Sequence, residues 1–228
     1  QGECFLCMCD AWLPVSIGNI MEFETFEQVW QSPRAHALQE DIANKNFTYC
    51  TVDHCGIRAM DQLQSPKWIS INIDESCNLK CPSCRADMIN FTKGPELDKK
   101  IKMSAHISQM LTNYDEHCII NMSGNGDPFA SLVYRPLILN TEPNVKHSYR
   151  IMTNGLLLKK LLPKTNISPS ITEYNISVDA GNKSTYEKVR LGGQWETLIE
   201  NLQWLKQNVD KKITLNFDIP NSTVKITG

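Results

Sequence analysis

The feature that most constrains this chain of 228 residues is the grouping of its nine cysteines. They fall as Cys4, Cys7 and Cys9, then Cys50 and Cys55, then Cys77, Cys81 and Cys84, with Cys118 alone. Disulfide-dependent secreted domains are usually shorter than about 100 residues and lack large cores. Tight groups separated by long cysteine-poor runs instead suit thiolates that converge on a metal centre, and with it a reducing cytoplasm. Hydrophobic residues are 41% and charged residues 21% of the chain, as in ordinary globular proteins. A net charge of −2 advertises no nucleic-acid or membrane surface. No apolar run reaches the roughly 18–20 residues needed to cross a bilayer. No secretory signal pattern is visible from Gln1 onward.

Hydrophobic periodicity divides the chain near residue 65, into a cysteine-rich module over 1–64 and a larger α/β unit over 65–228. In the first, a helix starts at Phe26 behind the N-cap candidate Thr25, and Ser32-Pro33 interrupts it. A second helical stretch from Arg34 presents Ala35, Leu38 and Ile42 on one face. So small a core would gain from a metal centre. The second unit alternates strands (68–73, 118–122, 149–152, 173–178 and 213–219) with helices near 104–114 and 194–207. That rhythm predicts a parallel sheet with helical crossovers. In such sheets the working residues lie on loops after the strands. The cysteine triplet, Gly124–Pro128, Thr153–Gly155 and Asp179 all fall there.

Cys77-x3-Cys81-x2-Cys84 offers three thiolates on one short loop. Electron-transfer cubanes normally take a fourth cysteine. Three leave one iron of a [4Fe–4S] cluster open to a chelating small molecule. The bland alternative is a zinc site completed by another ligand; the nearest following histidine is His106, and no second C-x2-C lies close by.

These residues resemble the radical S-adenosylmethionine superfamily, over about residues 66–219. The resemblance implies a partial (β/α)6 TIM-like barrel in which Cys77, Cys81 and Cys84 hold the cluster and the open iron takes S-adenosylmethionine. One-electron cleavage then yields methionine and a 5′-deoxyadenosyl radical, with a flavodoxin- or ferredoxin-type electron donor. Gly124, Asn125, Gly126 and Asp127 look like the family's glycine-glycine-glutamate-proline loop, whose backbone meets the methionine amino group. Asn154, in the turn Thr153-Asn154-Gly155, resembles a turn near the nucleoside. Ser177 and Asp179 match positions that contact ribose or carboxylate in relatives, and Arg190 resembles an arginine that pairs with the methionine carboxylate. Where relatives carry an aromatic residue before the third cysteine, this chain has Ser83. Family barrels have six strands; five are read here, and the tail 220–228 does not read as a further unit, so residues are expected to be missing from one or both ends.

Gly2-x4-Cys7-x-Cys9-x2-Trp12-x-Pro14, then Gly18-Asn19, Trp30-x-Ser32-Pro33 and Cys50-x4-Cys55 resemble the auxiliary-cluster modules called SPASM or twitch domains. That likeness implies a second, auxiliary [4Fe–4S] cluster with Cys7, Cys9, Cys50 and Cys55 as ligand candidates and Cys4 as a substitute. The module here precedes the barrel, whereas in the better-known arrangement it follows. A structural zinc is the alternative, His54 reads as a loop residue, and Cys118 as a buried small hydrophobe. The expected activity is hydrogen abstraction from a substrate carbon. A ribosomal peptide substrate is favoured (oxidation, epimerisation or crosslinking), with a sugar or aminocyclitol next. A non-catalytic zinc or iron–sulfur module is the rival of another class. An RNA-modifying enzyme would call for an appended basic domain, and none is read here.

Overall fold

β-branched and aromatic residues alternating with polar ones build five strands: β3 (Trp68–Ile71), β4 (Ile119–Met122), β5 (Ser148–Thr153), β6 (Ile171–Ser177) and β7 (Lys212–Asn216). The structure, a computed structural model, describes residues 2–7, 13–50, 66–122, 126–140 and 146–217. All four pairings in this sheet are parallel, and the strands stand side by side in chain order. Sequential parallel order is the wiring of a TIM-like barrel wall and matches the expected α/β class. Five of the six strands that the resemblance implies lie among the described residues.

The two faces of the sheet differ. Ile71, Ile120, Met122, Tyr149, Ile151, Tyr174 and Ile176 point to the helix-covered side and are buried. On the other face Ser70, Asn121, Arg150, Glu173 and Lys212 stand in direct register across all five strands. Glu173 pairs there with Arg150 at 3.1 Å and with Lys212 at 2.8 Å, and Arg150 lies over the Trp68 ring at 4.5 Å. This row of the open face is therefore polar and charge-compensated, with Trp68 and Met152 exposed beside it.

The crossover helix α3 (Pro95–Asn113) begins nine residues before the expected 104. Lys99, Lys100 and Lys102 hide the apolar stripe in the sequence, yet Leu97, Lys100, Met103, Ile107, Met110 and Leu111 form one buried face. Helix α4 (Leu158–Leu161) follows β5, and α5 (Lys183–Val189) and α6 (Trp195–Asn208) connect β6 to β7. Helix α6 fills its expected range; the four-residue α4 and the seven-residue α5 were not foreseen, being too short for a period to show.

At the amino end β1 (Glu3–Phe5) pairs antiparallel with β2 (Ser16–Asn19). Helix α1 (Phe26–Trp30) is capped by Thr25, whose hydroxyl accepts from Gln28 N at 3.2 Å. Helix α2 (Pro33–Ala43) starts where the sequence marked an interruption: Ser32 caps it and Pro33 occupies the first turn. Ala35, Leu38 and Ile42 close on Leu13 and Ile17 in a small core of their own. Ile20 and Phe26 join the main core instead, Phe26 edge-on to Tyr114 at 5.5 Å. Among the described residues no helix is long and apolar enough to cross a membrane.

Candidate functional site

The triplet loop leaves β3 at its carboxyl end and is clamped from three sides. Cys77 N donates to Ile89 O at 2.9 Å, and Phe91 N donates to Ser76 Oγ at 3.0 Å. The loop after β4 reaches it through Asp127 N, which donates to Ser76 O at 2.8 Å. That approach needs a glycine at 126, because a Cβ there would stand 2.5 Å from Ser76 O and 2.9 Å from Asp74 O. The segment after α5 holds the far side, where Lys80 N donates to Leu191 O at 2.9 Å.

Each thiol of the triplet faces an N–H donor. Leu79 N lies 3.4 Å and Asn154 Nδ2 3.7 Å from Cys77 Sγ. Arg190 Nη1 lies 3.6 Å from Cys81 Sγ, and Arg85 Nη2 lies 3.4 Å from Cys84 Sγ. Cys77 is half-buried, Cys81 buried and Cys84 exposed. Burial pushes the Cys77 and Cys81 thiols up, and the neighbouring thiols add to that: Cys81 acts on Cys77, and Cys84 on Cys81. Arg190 pulls Cys81 down. N–H donors suit sulfur that carries negative charge, so the donor set fits cluster thiolates. Among the described residues no three His, Cys, Asp or Glu side chains gather as a site for a single metal ion.

The residues expected around S-adenosylmethionine divide. Gly124 and Asn125 lie outside the described residues. Asp127 is buried and turned inward: Oδ1 accepts from Phe129 N at 3.0 Å and Ala130 N at 3.2 Å, Oδ2 from Thr153 Oγ1 at 2.7 Å and Asn154 N at 2.8 Å. Burial pushes its pKa up while these four donors pull it down. Its carboxylate thus ties the loop after β4 to the turn after β5. Asn154 extends the chain of contacts, donating from Nδ2 to Asn78 Oδ1 at 2.8 Å beside Cys77. Ser177 ends β6 half-buried, in register with Asn216. Asp179 follows in the left-handed region, φ 59°, with its Oδ2 2.5 Å from Arg190 Nη2.

A buried group beneath the loop escaped sequence reasoning. Asp74 Oδ2 accepts from Ser131 Oγ at 2.6 Å and Ser76 N at 3.2 Å, and Oδ1 faces Lys100 Nζ at 3.4 Å. Lys100 also donates to Ile73 O at 3.1 Å, and Tyr134 Oη donates to Ile71 O at 3.1 Å. The pair fixes the direction in which the chain leaves β3. A lysine at a core-facing helix position was the available signal.

Of the auxiliary candidates, Cys9 and Cys55 lie outside the described residues, as does His54. Cys4, Cys7 and Cys50 all pack against the small core around Leu38 and Ile42. Burial pushes the Cys4 thiol up to about 11. Cys4 and Cys7 also line a cavity of about 360 Å³ that runs between β1, α1 and the outer edge of β3, with all of residues 68–73 in its wall. Cys118 is buried as expected, and pairs with His147: its Sγ lies 3.4 Å from Nδ1, while Nε2 meets Leu111 O at 2.9 Å. This pair sits before β4 and β5, at the end of the sheet away from the triplet.

No protein-family model matches the chain. Its curated relatives include a probable GTP 3',8-cyclase of Methanococcus maripaludis, 26% identical over 145 residues, which are 63% of this chain and 44% of the relative. The same-named protein of another strain is 26% identical over 164 residues, 68% of this chain and 50% of that one. The chain thus spans about half the length of the curated relatives it matches. Among solved structures it is similar to Streptococcus suis SuiB bound to precursor peptide SuiA, with TM-score 0.44 and 21% identity, covering 67% of this chain and 33% of that one. It is also similar to anSMEcpe with bound AdoMet, with TM-score 0.43 and 19% identity, covering 66% and 43%. The sequence likeness to the cyclases and the position of the triplet after the first strand of a sequential parallel sheet agree with the radical S-adenosylmethionine superfamily.

Proposed function

We propose that this chain carries the catalytic core of a radical S-adenosylmethionine enzyme that abstracts hydrogen from a peptide substrate. Cys77, Cys81 and Cys84 would hold three irons of a [4Fe–4S] cluster. The observation that carries this is the clamped loop at the carboxyl end of β3, with an N–H donor at each of its three sulfurs. Bound there, cluster and S-adenosylmethionine would supply one-electron cleavage to a 5′-deoxyadenosyl radical. The chain's own part is placement. Gly126 lets the loop after β4 approach Ser76. Asp127 holds the β5 turn so that Asn154 lies beside Cys77. Ser177, and the backbone at Gly124 and Asn125, belong to the same proposed S-adenosylmethionine site. Cys7, Cys9, Cys50 and Cys55, with Cys4 in reserve, are the proposed ligands of an auxiliary cluster. The small core that gathers Cys4, Cys7 and Cys50 supports this.

A peptide is favoured over a sugar because the outer edge of β3 faces the cavity. Among the described residues β3 pairs only with β4. An extended peptide can add to such an edge through main-chain hydrogen bonds. The cavity's 360 Å³ lies in the range of binding sites.

Anaerobic reconstitution tests the reading. The wild-type chain is expected to take up about eight irons with matching sulfide, two cubanes' worth. A Cys77→Ala/Cys81→Ala/Cys84→Ala protein is expected to keep about half of that iron. Stoichiometric zinc in place of iron, or iron uptake indifferent to the triple substitution, would refute it.

A further inference from the structure

The fork of Arg190 faces two partners at once. One terminal nitrogen, Nη2, is 2.5 Å from Asp179 Oδ2; the other, Nη1, is 3.6 Å from Cys81 Sγ. The side chains of Arg190 and Asp179 are 14% and 9% exposed, so the pair is screened little by solvent. Arg190 Nε is buried and has no hydrogen-bond partner among the described residues. Asp179 holds its carboxylate in place from a left-handed backbone, φ 59°, a conformation that Asp and Asn tolerate better than most residues. Arg190 itself ends α5, with its N donating to Tyr186 O at 2.8 Å, and the next residue's carbonyl accepts from Lys80 in the triplet loop. Backbone and side chain thus dock the same segment on the same loop.

We propose that Arg190 is a positioning residue for the cluster: held by Asp179, it delivers a fixed cation and an N–H to the sulfur of Cys81, and so makes the cluster easier to reduce. This rests on the function proposed above, and departs from the expectation that Arg190 serves the methionine carboxylate. Reduction adds an electron to the cluster and places more negative charge on its sulfurs. A nearby buried cation and a hydrogen bond to a ligand sulfur stabilise that reduced form more than the oxidised one, which is how such contacts move a cluster's potential. No proton transfer and no bond change is involved; the electron comes from the external donor.

The test is a redox titration followed by electron paramagnetic resonance, without S-adenosylmethionine, on the reconstituted chain and on Arg190→Gln. The signal to follow is the one absent from the Cys77→Ala/Cys81→Ala/Cys84→Ala protein. At a fixed solution potential near the wild-type midpoint, Arg190→Gln should lower the ratio of reduced to oxidised cluster about tenfold, a shift of about 59 mV to more negative potential for a one-electron couple. Arg190→Lys keeps the charge but not the fork, and should shift the same way by less. It carries the test if Arg190→Gln fails to load. An unmoved potential in the loaded variants overturns the inference. So does a weakened affinity for S-adenosylmethionine at unchanged potential, which would return Arg190 to the methionine carboxylate. A wild-type chain that loads no triplet-dependent cluster defeats the functional reading itself, a result distinct from either.

Discussion

Lys100 occupies a position that the apolar stripe of α3 reserves for a hydrophobe, and it is 3% exposed. Its partner Asp74 leaves β3 three residues before Cys77, so the ion pair aims the cysteine loop. Breaking a buried pair from one side leaves the other charge uncompensated. Lys100→Met should therefore destabilise the cluster-free chain by about 3–5 kcal/mol in chemical denaturation. A change within experimental error would show that water reaches Asp74. The Cys118–His147 pair makes a prediction of opposite character, remote from the triplet. Burial holds the His147 pKa below its ordinary value. The unfolded chain then binds a proton that the folded chain refuses, so its contribution is present above the unfolded value of about 6.5 and is lost as pH falls through and below it. His147→Gln should flatten the decline in stability between pH 7 and pH 5 relative to wild type. Parallel declines in the two proteins would contradict this. Lys100 left one trace in the sequence, its place on the core-facing stripe of α3, whereas the burial of His147 shows only through tertiary contacts.

At the scale of elements, the five strands of the parallel sheet were readable because apolar and polar residues alternate along them, and their observed bounds fall within three residues of those expected; the short β1 and β2 were not foreseen. Helix α6 was readable from Leu198, Leu202 and Leu205. The start of α3 was not, because three lysines interrupt its pattern, and the single-turn α4 offers too few residues for a period to show. Among the described residues, the loops after the strands lie where following each strand to its end places them. What the sequence could not show is that Asp127 turns inward to join two of those loops, since an acidic residue in a glycine turn looks the same whether it faces a ligand or its own backbone. Gly126 is the hinge of that junction. Gly126→Ala should push the loop after β4 off Ser76, and reconstituted protein should lose most of its triplet-dependent iron while far-ultraviolet circular dichroism stays unchanged. Full cluster loading would show that the loop can relax around a methyl group.

For the whole molecule, sequence order β3 to β7 in one parallel sheet puts the described cofactor candidates of the larger unit at one end of it, and leaves Cys118 and His147 at the other. The amino-terminal module shares the main core through Ile20 and Phe26, and its Cys4 and Cys7 line one cavity with β3, whose outer edge has no partner strand among the described residues. The triplet cysteines are not among the residues that line this cavity, which lies beside the strand that leads into their loop. All of this depends on whether three sulfurs leave one iron open. The most direct measurement is of 5′-deoxyadenosine after anaerobic reduction of the reconstituted chain with S-adenosylmethionine. Formation of 5′-deoxyadenosine and methionine in equal amounts, abolished by Cys81→Ala, is the result expected here. Equal product from Cys81→Ala, or none from wild-type chain with its iron and sulfide in place, would contradict it.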